Sequence, residues 1–287
     1  MKCTLRVHFF LPHLYQKSHM PKIKDIFGIV NELAPSEYAE EWDSVGLQVG
    51  DPESEVTGIM VALDSSLEAL KEMSDKDMNL LITHHPLLFS SIKSIDSNFP
   101  LGNIIKSAIL RGITIFSAHT NLDSTGGGIN DTLAAMLGII SLSPIEPVDN
   151  DANSHAGSGR IGRLSQETAL EDLVPMIKEK LGAPYLRVCG DMKRVISGVA
   201  LCGGSGGSLI GKATELGADL FISGDISYHQ ARQAEDIGIC IIDAGHFSSE
   251  KAAIGGIVEL IKIKLAERGI DIQVEEFKGE KEPFAVI

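Results

Sequence analysis

Cysteine is scarce in this sequence, and no two cysteines form a CxxC pair. The four cysteines are Cys3, Cys189, Cys202 and Cys240, of which the last two stand inside apolar runs. A disulfide framework and a thiolate zinc site are both disfavoured, because each needs paired or closely spaced cysteines. We interpret the cysteines as buried free thiols of a protein that works in the reducing cytoplasm.

Basic residues and long apolar runs are lacking as well. Lysine and arginine together number 25 against 39 aspartates and glutamates, which gives a net charge of -14. A nucleic-acid binder needs a concentrated basic surface, so we expect no nucleic-acid partner. The apolar runs fall short of the ~18 to 20 residues of a membrane-spanning helix, so we expect no membrane segment. The apolar content of 44% suits one large buried core or two smaller ones.

The first 19 residues differ from the rest of the chain. The segment MKCTLRVHFFLPHLYQKSH has three histidines, a proline that interrupts its apolar stretch, and no helical or strand period. A secretory signal needs a longer apolar region and a small-residue cleavage site. We interpret residues 1–19 as a leader or tag-like segment that is extraneous to the fold, and we do not count its histidines as ligands.

From Met20 onward, strand-like runs alternate with helix-like stretches. The segment PKIKDIFGIVNELAP predicts an amphipathic helix, and later stretches such as LEALKEMSD and SYHQARQAEDIG are also helix-like. The intervening β-branched runs are apolar at nearly every position, which is typical of strands covered on both faces. This alternation predicts an α/β protein with largely parallel sheets.

A weak internal repeat divides this pattern into two halves. TGIMVALD, NLLITHHPLLF and GITIFSAHTNLD in the first half correspond to SGVALCGG, ADLFISGDISYH and GICIIDAGHFSSE in the second. Gly58 aligns with Gly198 at an offset of 140 residues. We predict two similar α/β lobes, the first over residues 20–140 and the second over residues 141–287, that face each other across a cleft.

Five side chains with metal-binding chemistry follow these predicted strands. They are His84, His85, Asp123, His246 and Glu250. In open α/β sheets, ligands bind beyond the carboxyl ends of the strands. Pro86 predicts that the preceding strand ends near Thr83, so both histidines can project over the strand end. A spacing of four residues places His246 and Glu250 on one helical face.

Each of these residues alone also has a structural interpretation. One histidine of the pair can be packed and the other solvated, and Asp123 can cap a helix or form a turn. Glu250 can complement the positive end of a helix that starts near Ser248. Together, three imidazoles and two carboxylates suit a pair of borderline divalent ions such as Zn, Mn, Fe, Co or Ni. Two ions close together can activate water and stabilise a developing oxyanion.

Three further residues lie near the same predicted edge. They are His119, Asp225 and His229, and Asp225 is the repeat equivalent of His85. We regard all three as candidates for catalytic proton transfer or for support of the ligands, with a structural role as the alternative.

The turn CGGSGGSLIGKA resembles a phosphate-binding loop only in part. Ala213 follows its lysine, and Leu209 stands where the last glycine of a dinucleotide-binding turn is required. The pattern favours a structural tight turn, and an anion site at the helix amides stays open as the alternative.

Six segments together resemble the family of GTP cyclohydrolase 1 type 2 homologues, also called the Nif-three-like family. They are EEWDSVGLQVGD, ITHHPLLF, SAHTNLDSTGGGIND, GRIGRL, ISGDISYHQARQAED and IDAGHFSSE, in the order of the family. The resemblance implies two α/β lobes, a dinuclear metal centre in the cleft between them, and a ring-shaped homohexamer. The metal ligands of the family fall on the five residues named above, and none is substituted.

The family name implies hydrolytic opening of the purine ring of GTP. We therefore expect a metal-dependent hydrolase that holds two divalent ions per subunit and acts on a small nucleotide-like or heterocyclic substrate. The alternative is a non-enzymatic protein whose site stores, senses or delivers metal, or whose oligomer is an interaction scaffold. An enzyme should keep an open coordination position for water, whereas protein ligands can close a storage site.

Overall fold

Residues 20–148 and 155–285 are described by the computed structural model, so the predicted leader with Cys3 lies outside the described residues. Helix α1, Ile23–Leu33, opens the described chain. Ile26 and Val30 on its predicted apolar stripe are buried, and Pro35 follows its end. The amphipathic helix predicted from this segment is confirmed.

Within the described residues, the remaining helices fall on the helix-like stretches of the sequence, except the five-residue helix Thr120–Ser124, which was not predicted. They are α2 Leu67–Asp75, α3 Pro100–Leu110, α4 Thr120–Ser124, α5 Ile129–Leu137, α6 Leu170–Lys180, α7 Ile210–Glu215, α8 Tyr228–Ile237 and α9 His246–Glu267. Short 3₁₀ turns cover Ser36–Tyr38 and Gly207–Leu209. The described part of the chain shows no helix with the length and apolar character that crossing a membrane requires.

The strands form two main sheets and one small pair. In chain order they are β1 Gly46–Val49, β2 Ile59–Ala62, β3 Leu80–Thr83, β4 Thr114–Ser117, β5 Ile139–Ser143, β6 Glu146–Pro147, β7 Gly157–Ser158, β8 Arg160–Ala169, β9 Arg187–Cys189, β10 Val195–Ser205, β11 Leu220–Gly224, β12 Cys240–Asp243 and β13 Val274–Glu276. The first sheet has the order β1-β4-β3-β2-β13 and is parallel except for β1. The second has the order β5-β8-β10-β11-β12-β9, with β10, β11 and β12 parallel at its centre.

The register of the two sheets reproduces the internal repeat. Ile59 pairs with Leu80 in the first sheet, and Val199 pairs with Leu220 in the second, at the same offset of 140 residues. The equivalent strands also lie in the same sequence along each sheet, β4-β3-β2 in one and β12-β11-β10 in the other. The alignment of the two halves is therefore confirmed at the level of strand pairing.

Two strands depart from the predicted division between residues 140 and 141. Strand β5 begins at Ile139 and belongs to the second sheet, while β13 near the carboxyl terminus returns to pair with β2 of the first sheet. Helix α9 precedes β13 and packs against strands of both sheets. The lobes as separate domains stay a prediction, because the chain crosses between the sheets after α9.

One buried apolar core joins the two halves. It contains Val61 and Ile82 of the first sheet, Val199 and Ile242 of the second, and Ile257 of α9. Truncation of such a residue to alanine costs about 2 to 5 kcal/mol. This shared core holds the carboxyl ends of the parallel strands of both sheets in a defined relation to each other.

The cysteines of the described residues are free. Cys240 is buried, and Cys189 and Cys202 are partly buried. Their interpretation as free thiols is confirmed for these three positions, and full burial holds only for Cys240.

Candidate metal centre

The two adjacent histidines stand directly after β3. This strand ends at Thr83, as Pro86 predicts. His84 is buried and His85 is partly exposed. Their ring centroids are 5.2 Å apart with planes inclined by 44°, so both imidazoles lie over the strand end rather than on opposite faces of the sheet.

Two helices bring the remaining predicted ligands to the same edge. After β4, helix α4 carries Asp123 on its first turns. After β12, helix α9 begins at His246, and Glu250 follows one turn later, with 3.3 Å between His246 Nε2 and Glu250 Oε2. The helix starts two residues earlier than the position near Ser248 that the sequence predicts. His246 and Glu250 share one helical face, as their spacing requires.

Glu250 of the second half reaches the histidines of the first half. Its carboxylate lies 2.9 Å from His85 Nε2 and 3.6 Å from His84 Nε2. Only 3% of Glu250 is exposed, which is far too little for a residue that merely complements a helix end in solvent. The two halves of the repeat therefore gather their nitrogen and oxygen donors in one cleft. We call His84, His85, Asp123, His246 and Glu250 the donor cluster.

Gly204 permits the close packing of Glu250. This glycine has a φ of +64°, and a Cβ at its position would collide with Glu250 Oε1. Its amide donates to Ser249 Oγ of α9 at 3.0 Å. The turn CGGSGGSLIGKA is thus a structural turn that lets the backbone approach the donor cluster, which agrees with the predicted tight turn.

Two buried polar atoms of the donor cluster have no hydrogen-bond partner among the described residues, His84 Nε2 and Asp123 Oδ1. They lie 3.6 Å apart. His84 Nδ1 is 3.1 Å from the carbonyl oxygen of Ala118, which only accepts, so Nδ1 carries a proton and Nε2 faces the cleft. Burial would lower the pKa of His84, but the nearby carboxylates of Asp123 and Glu250 outweigh burial and raise that pKa. Buried groups of this kind are costly when unpaired, and a divalent cation would satisfy both atoms.

Carboxylates orient the other two histidines of the donor cluster. His85 Nδ1 lies 3.0 Å from Asp64 Oδ1, and His246 Nδ1 lies 2.8 Å from Asp225 Oδ2. Asp225 has a φ of +52°, a left-handed conformation that aspartate tolerates better than most residues. Histidines that ligate metals typically donate their second nitrogen to a carboxylate in this way. The Nε2 atoms of both rings face Glu250.

His119 is oriented by the same device. Its Nδ1 lies 2.9 Å from Oδ1 of the buried Asp43, whose second oxygen accepts from the amide of Thr120 at 3.0 Å. The ring centroid of His119 is 5.0 Å from that of His84. The structure thus places His119 beside the donor cluster, where the sequence predicts a proton-transfer group. Because Asp43 holds Nδ1, Nε2 of the ring faces the cleft.

Among the described residues, two overlapping groups of side chains could hold metal ions. Their ligand atoms lie within 4.8 Å of one another in the triplets His84, His85, His119 and His85, His246, Glu250. Imidazole and carboxylate donors suit Zn, Mn, Fe, Co or Ni, whereas Mg and Ca prefer oxygen ligands alone. His119 is therefore a possible ligand in addition to a candidate for proton transfer.

Burial and charge pairing set the protonation of the donor cluster. Burial would lower the pKa of His85, but its hydrogen bonds to Asp64 and Glu250 outweigh burial and raise that pKa to about 10. The hydrogen bond to Glu250 raises the pKa of His246 to about 9. Burial favours a raised pKa for Glu250, yet the three surrounding histidines hold it well below its usual range. For Asp123, burial raises the pKa of the carboxyl. Without a divalent ion, the positive charges of protonated His85 and His246 therefore balance the negative charge of the buried Glu250 carboxylate.

His229 is the predicted site residue that the structure does not bring to the cleft. It is exposed on α8, where its ring meets Tyr228 edge-on at a centroid distance of 5.5 Å. Within residues 20–148 and 155–285, His229 makes no hydrogen bond, ion pair or ring contact with the donor cluster. Its role in proton transfer stays a prediction that the geometry does not favour.

Sequence reasoning overlooked Asp64 and Asp43. Asp64 follows β2 at the carboxyl edge of the first sheet, which is the rule that identified the other site residues and could have identified it. Asp43 lies in an irregular segment between α1 and β1, and no periodicity or spacing relates it to His119. Its neighbour in the segment EEWDSVGLQVGD is Trp42, the only tryptophan.

Two cavities meet at the donor cluster. The larger, of about 740 Å³, is lined by Trp42 and Phe89 among others. The smaller, of about 550 Å³, is lined by Arg187 among others. His85 and His246 line both cavities, so the donor cluster forms part of the wall between them and is reached from either side.

Comparison with known proteins gives a single result. A family profile described as Duf34/NIF3 (NGG1p interacting factor 3) matches residues 21–283. A Clostridium perfringens protein named "GTP cyclohydrolase 1 type 2 homolog" is 39% identical over 271 residues, which cover 93% of this chain and 100% of the relative. A Clostridium acetobutylicum protein of the same name is 36% identical, with 92% and 98% covered.

Solved structures agree with this result. The crystal structure of a Staphylococcus aureus protein matches with a TM-score of 0.88 and 30% identity, covering 94% of this chain and 100% of that chain. A Bacillus cereus protein described as related to NIF3 matches with a TM-score of 0.87 at 24% identity, which supports the fold alone. The predicted α/β fold and family resemblance are confirmed.

Proposed function

The chain belongs to the DUF34/NIF3 family, and from this premise we propose that it is a dinuclear metal-dependent hydrolase of a small nucleotide-like or heterocyclic substrate. The observation that carries the proposal concerns two buried atoms, His84 Nε2 and Asp123 Oδ1, which lie 3.6 Å apart and have no hydrogen-bond partner among the described residues. A site built only for structure would pair these atoms with each other or with a neighbour.

The residues proposed to hold two divalent ions are His84, His85, Asp123, His246 and Glu250. Bound there, the ions would polarise water and offset negative charge that develops on the substrate. Three histidines and two carboxylates fit this purpose. In each histidine, Nδ1 lies within hydrogen-bond distance of an acceptor, and Nε2 faces the cleft. The two carboxylates supply negative charge against two dications.

His119 and Asp225 support the reaction in different ways. Asp43 keeps the proton of His119 on Nδ1, so Nε2 can accept a proton from a group in the larger cavity. Asp225 holds Nδ1 of His246 and thereby fixes the direction of Nε2. In this proposal His119 moves a proton and Asp225 positions a ligand.

The substrate class follows from the relatives and from the size of the cavity. The curated relatives carry the name "GTP cyclohydrolase 1 type 2 homolog", which refers to a purine nucleotide. The larger cavity of about 740 Å³ lies within the usual range for small-molecule sites. We also propose that the protein is cytoplasmic and that it assembles into a ring-shaped homohexamer. The free cysteines support the first part, and the second part rests on the family resemblance alone.

A metabolite screen tests the proposal. Protein loaded with Zn or Mn is incubated with nucleotides, nucleosides and free heterocycles, and products that have gained one water are identified by mass spectrometry. The wild type should form such a product, and Asp123→Asn and chelator-treated protein should not. Binding of two ions without turnover of any compound would contradict the hydrolase and favour the alternative of a protein that stores, senses or delivers metal.

A further inference from the structure

Trp42 and Phe89 form an exposed aromatic pair in the wall of the larger cavity. The side chains are 58% and 60% exposed, and their ring centroids are 5.7 Å apart at an inclination of 49°. Both rings line the cavity that reaches His119 and Glu250. Large apolar rings left open beside a polar cluster are typical of a ligand-binding wall rather than of a core.

The aromatic pair is tied to the donor cluster through Asp43. This aspartate follows Trp42 in the chain, is buried, and contacts both His119 and Thr120. Trp42 also meets the His119 ring edge-on at a centroid distance of 6.1 Å. The segment that carries the exposed indole is therefore held at the start of α4, beside His119.

The charge of the cavity wall restricts what this pair can receive. Glu40, Asp123, Glu146 and Glu250 line the cavity, and the described lining residues include no lysine or arginine. Arg160 is close by, but it is 1% exposed and is occupied by Asp131 and by backbone carbonyls. An anionic group therefore finds no lysine or arginine among the described lining residues and meets four carboxylates, whereas an uncharged ring is not repelled.

We propose that the aromatic pair is a stacking subsite for the planar ring of an uncharged heterocycle, namely a nucleobase or the base of a nucleoside. This inference rests on the proposed function in taking the donor cluster as the reacting centre. Stacking on Trp42 holds the ring plane while its edge points toward His119 and the donor cluster. Every base presents a π-face, so the subsite selects planar rings and tolerates different bases.

Intrinsic fluorescence tests the subsite directly, because Trp42 is the only tryptophan in the chain. Metal-loaded protein is titrated with adenosine, guanosine, cytidine and uridine, with excitation at the red edge of the tryptophan band, where the nucleosides do not absorb. Saturable quenching is expected, stronger for the purines than for the pyrimidines, and ribose should give none. Absence of saturable quenching with all four nucleosides would overturn the proposal.

Substitutions of Phe89 separate stacking from a general effect. Phe89→Leu keeps the tryptophan reporter and should weaken nucleoside binding by about 10-fold, which corresponds to a loss of ~1.4 kcal/mol of stacking. Phe89→Tyr keeps the ring and should retain affinity. Phe99→Leu is the matched control, because Phe99 is 65% exposed and does not line the cavity. Equal affinity of the Phe89→Leu and Phe99→Leu variants would contradict the assignment.

A third comparison tests the preference for an uncharged ring. In protein to which no divalent ion is added, GTP should bind no more tightly than guanosine, and tighter binding of GTP would overturn this part of the proposal. The subsite and the hydrolase fail in distinguishable ways. Quenching without turnover of any compound contradicts the hydrolase alone, and turnover of a heterocycle without quenching contradicts the subsite alone.

Discussion

His84 Nε2 and Asp123 Oδ1 lie 3.6 Å apart in the interior of the cleft, and neither atom has a hydrogen-bond partner in the described part of the chain. Leaving such groups unsatisfied costs about 1 to 3 kcal/mol each. The two atoms stay in these positions because the core shared between the two sheets holds helices α4 and α9 in place, and its burial energy offsets this cost. A cation between the two atoms would recover this cost.

Purified protein should bind about two divalent ions per chain, because the donor cluster offers more ligands than one tetrahedral ion uses. Elemental analysis after saturation with Zn or Mn and removal of free metal measures the ratio. A ratio of one ion or fewer per chain would defeat the dinuclear proposal.

Asp123→Asn should abolish metal-dependent activity while leaving the metal-free fold intact. The change keeps the shape of the side chain but removes a negative charge, and an amide does not bridge two ions as a carboxylate does. Because burial raises the pKa of Asp123, its charged form is disfavoured in the folded protein, and urea unfolding should show equal or slightly higher stability without metal. Normal binding of two ions and full turnover by this variant would show that the ligand is misassigned.

Glu250→Gln provides the contrast to Asp123→Asn. The Glu250 carboxylate pairs with His85 and His246, and its pKa is held well below the usual range, so its charged form stabilises the fold. The amide variant should lose activity and also lower the free energy of unfolding of the metal-free protein by about 1 to 3 kcal/mol. Equal stability of the two amide variants in urea would argue against the charge pairing in the cleft.

Metal affinity should rise with pH across the neutral range. Without a divalent ion, the pKa of His85 is about 10 and that of His246 about 9, so both imidazoles are protonated at neutral pH. A metal must displace these protons, which strengthens apparent binding by up to about tenfold per pH unit for each proton displaced. Calorimetric titrations in buffers of different ionisation enthalpy should show proton release. An affinity that is independent of pH, with no proton release, would contradict this protonation state.

His119→Ala should reduce metal affinity or activity by roughly 10- to 100-fold, as is typical for residues that support a metal site. Its ring lies beside His84 and is oriented by Asp43. His229→Ala is the matched control, because this exposed histidine contacts Tyr228 and should leave both quantities unchanged. A larger loss for His229→Ala than for His119→Ala would require the proton-transfer group to be reassigned.

The protein should assemble into a hexamer in solution, a prediction that rests on its family alone. Light scattering coupled to size-exclusion chromatography measures the mass across concentrations. A stable monomer from micromolar to millimolar concentration would refute the hexamer.

Much of the fold follows from local sequence patterns, so the sequence by itself determined it. The apolar runs predict β3 and β11, Pro86 predicts the end of β3, and the repeat predicts the shared register of the two sheets. These features depend on periodicity and turn chemistry within a few residues. The five members of the donor cluster could be named for the same reason, since each follows a strand end.

Tertiary structure alone decided which side chains pair with each other in the cleft. His85 and Glu250 are separated by 165 residues, and His119 and Asp43 by 76, so no local pattern relates them. The return of β13 to the first sheet was equally hidden, because a three-residue strand carries little periodicity of its own. Strands and helices arise from short-range preferences, but the partner of a buried polar group is set by the packing of the whole core, which is a sum of long-range contacts.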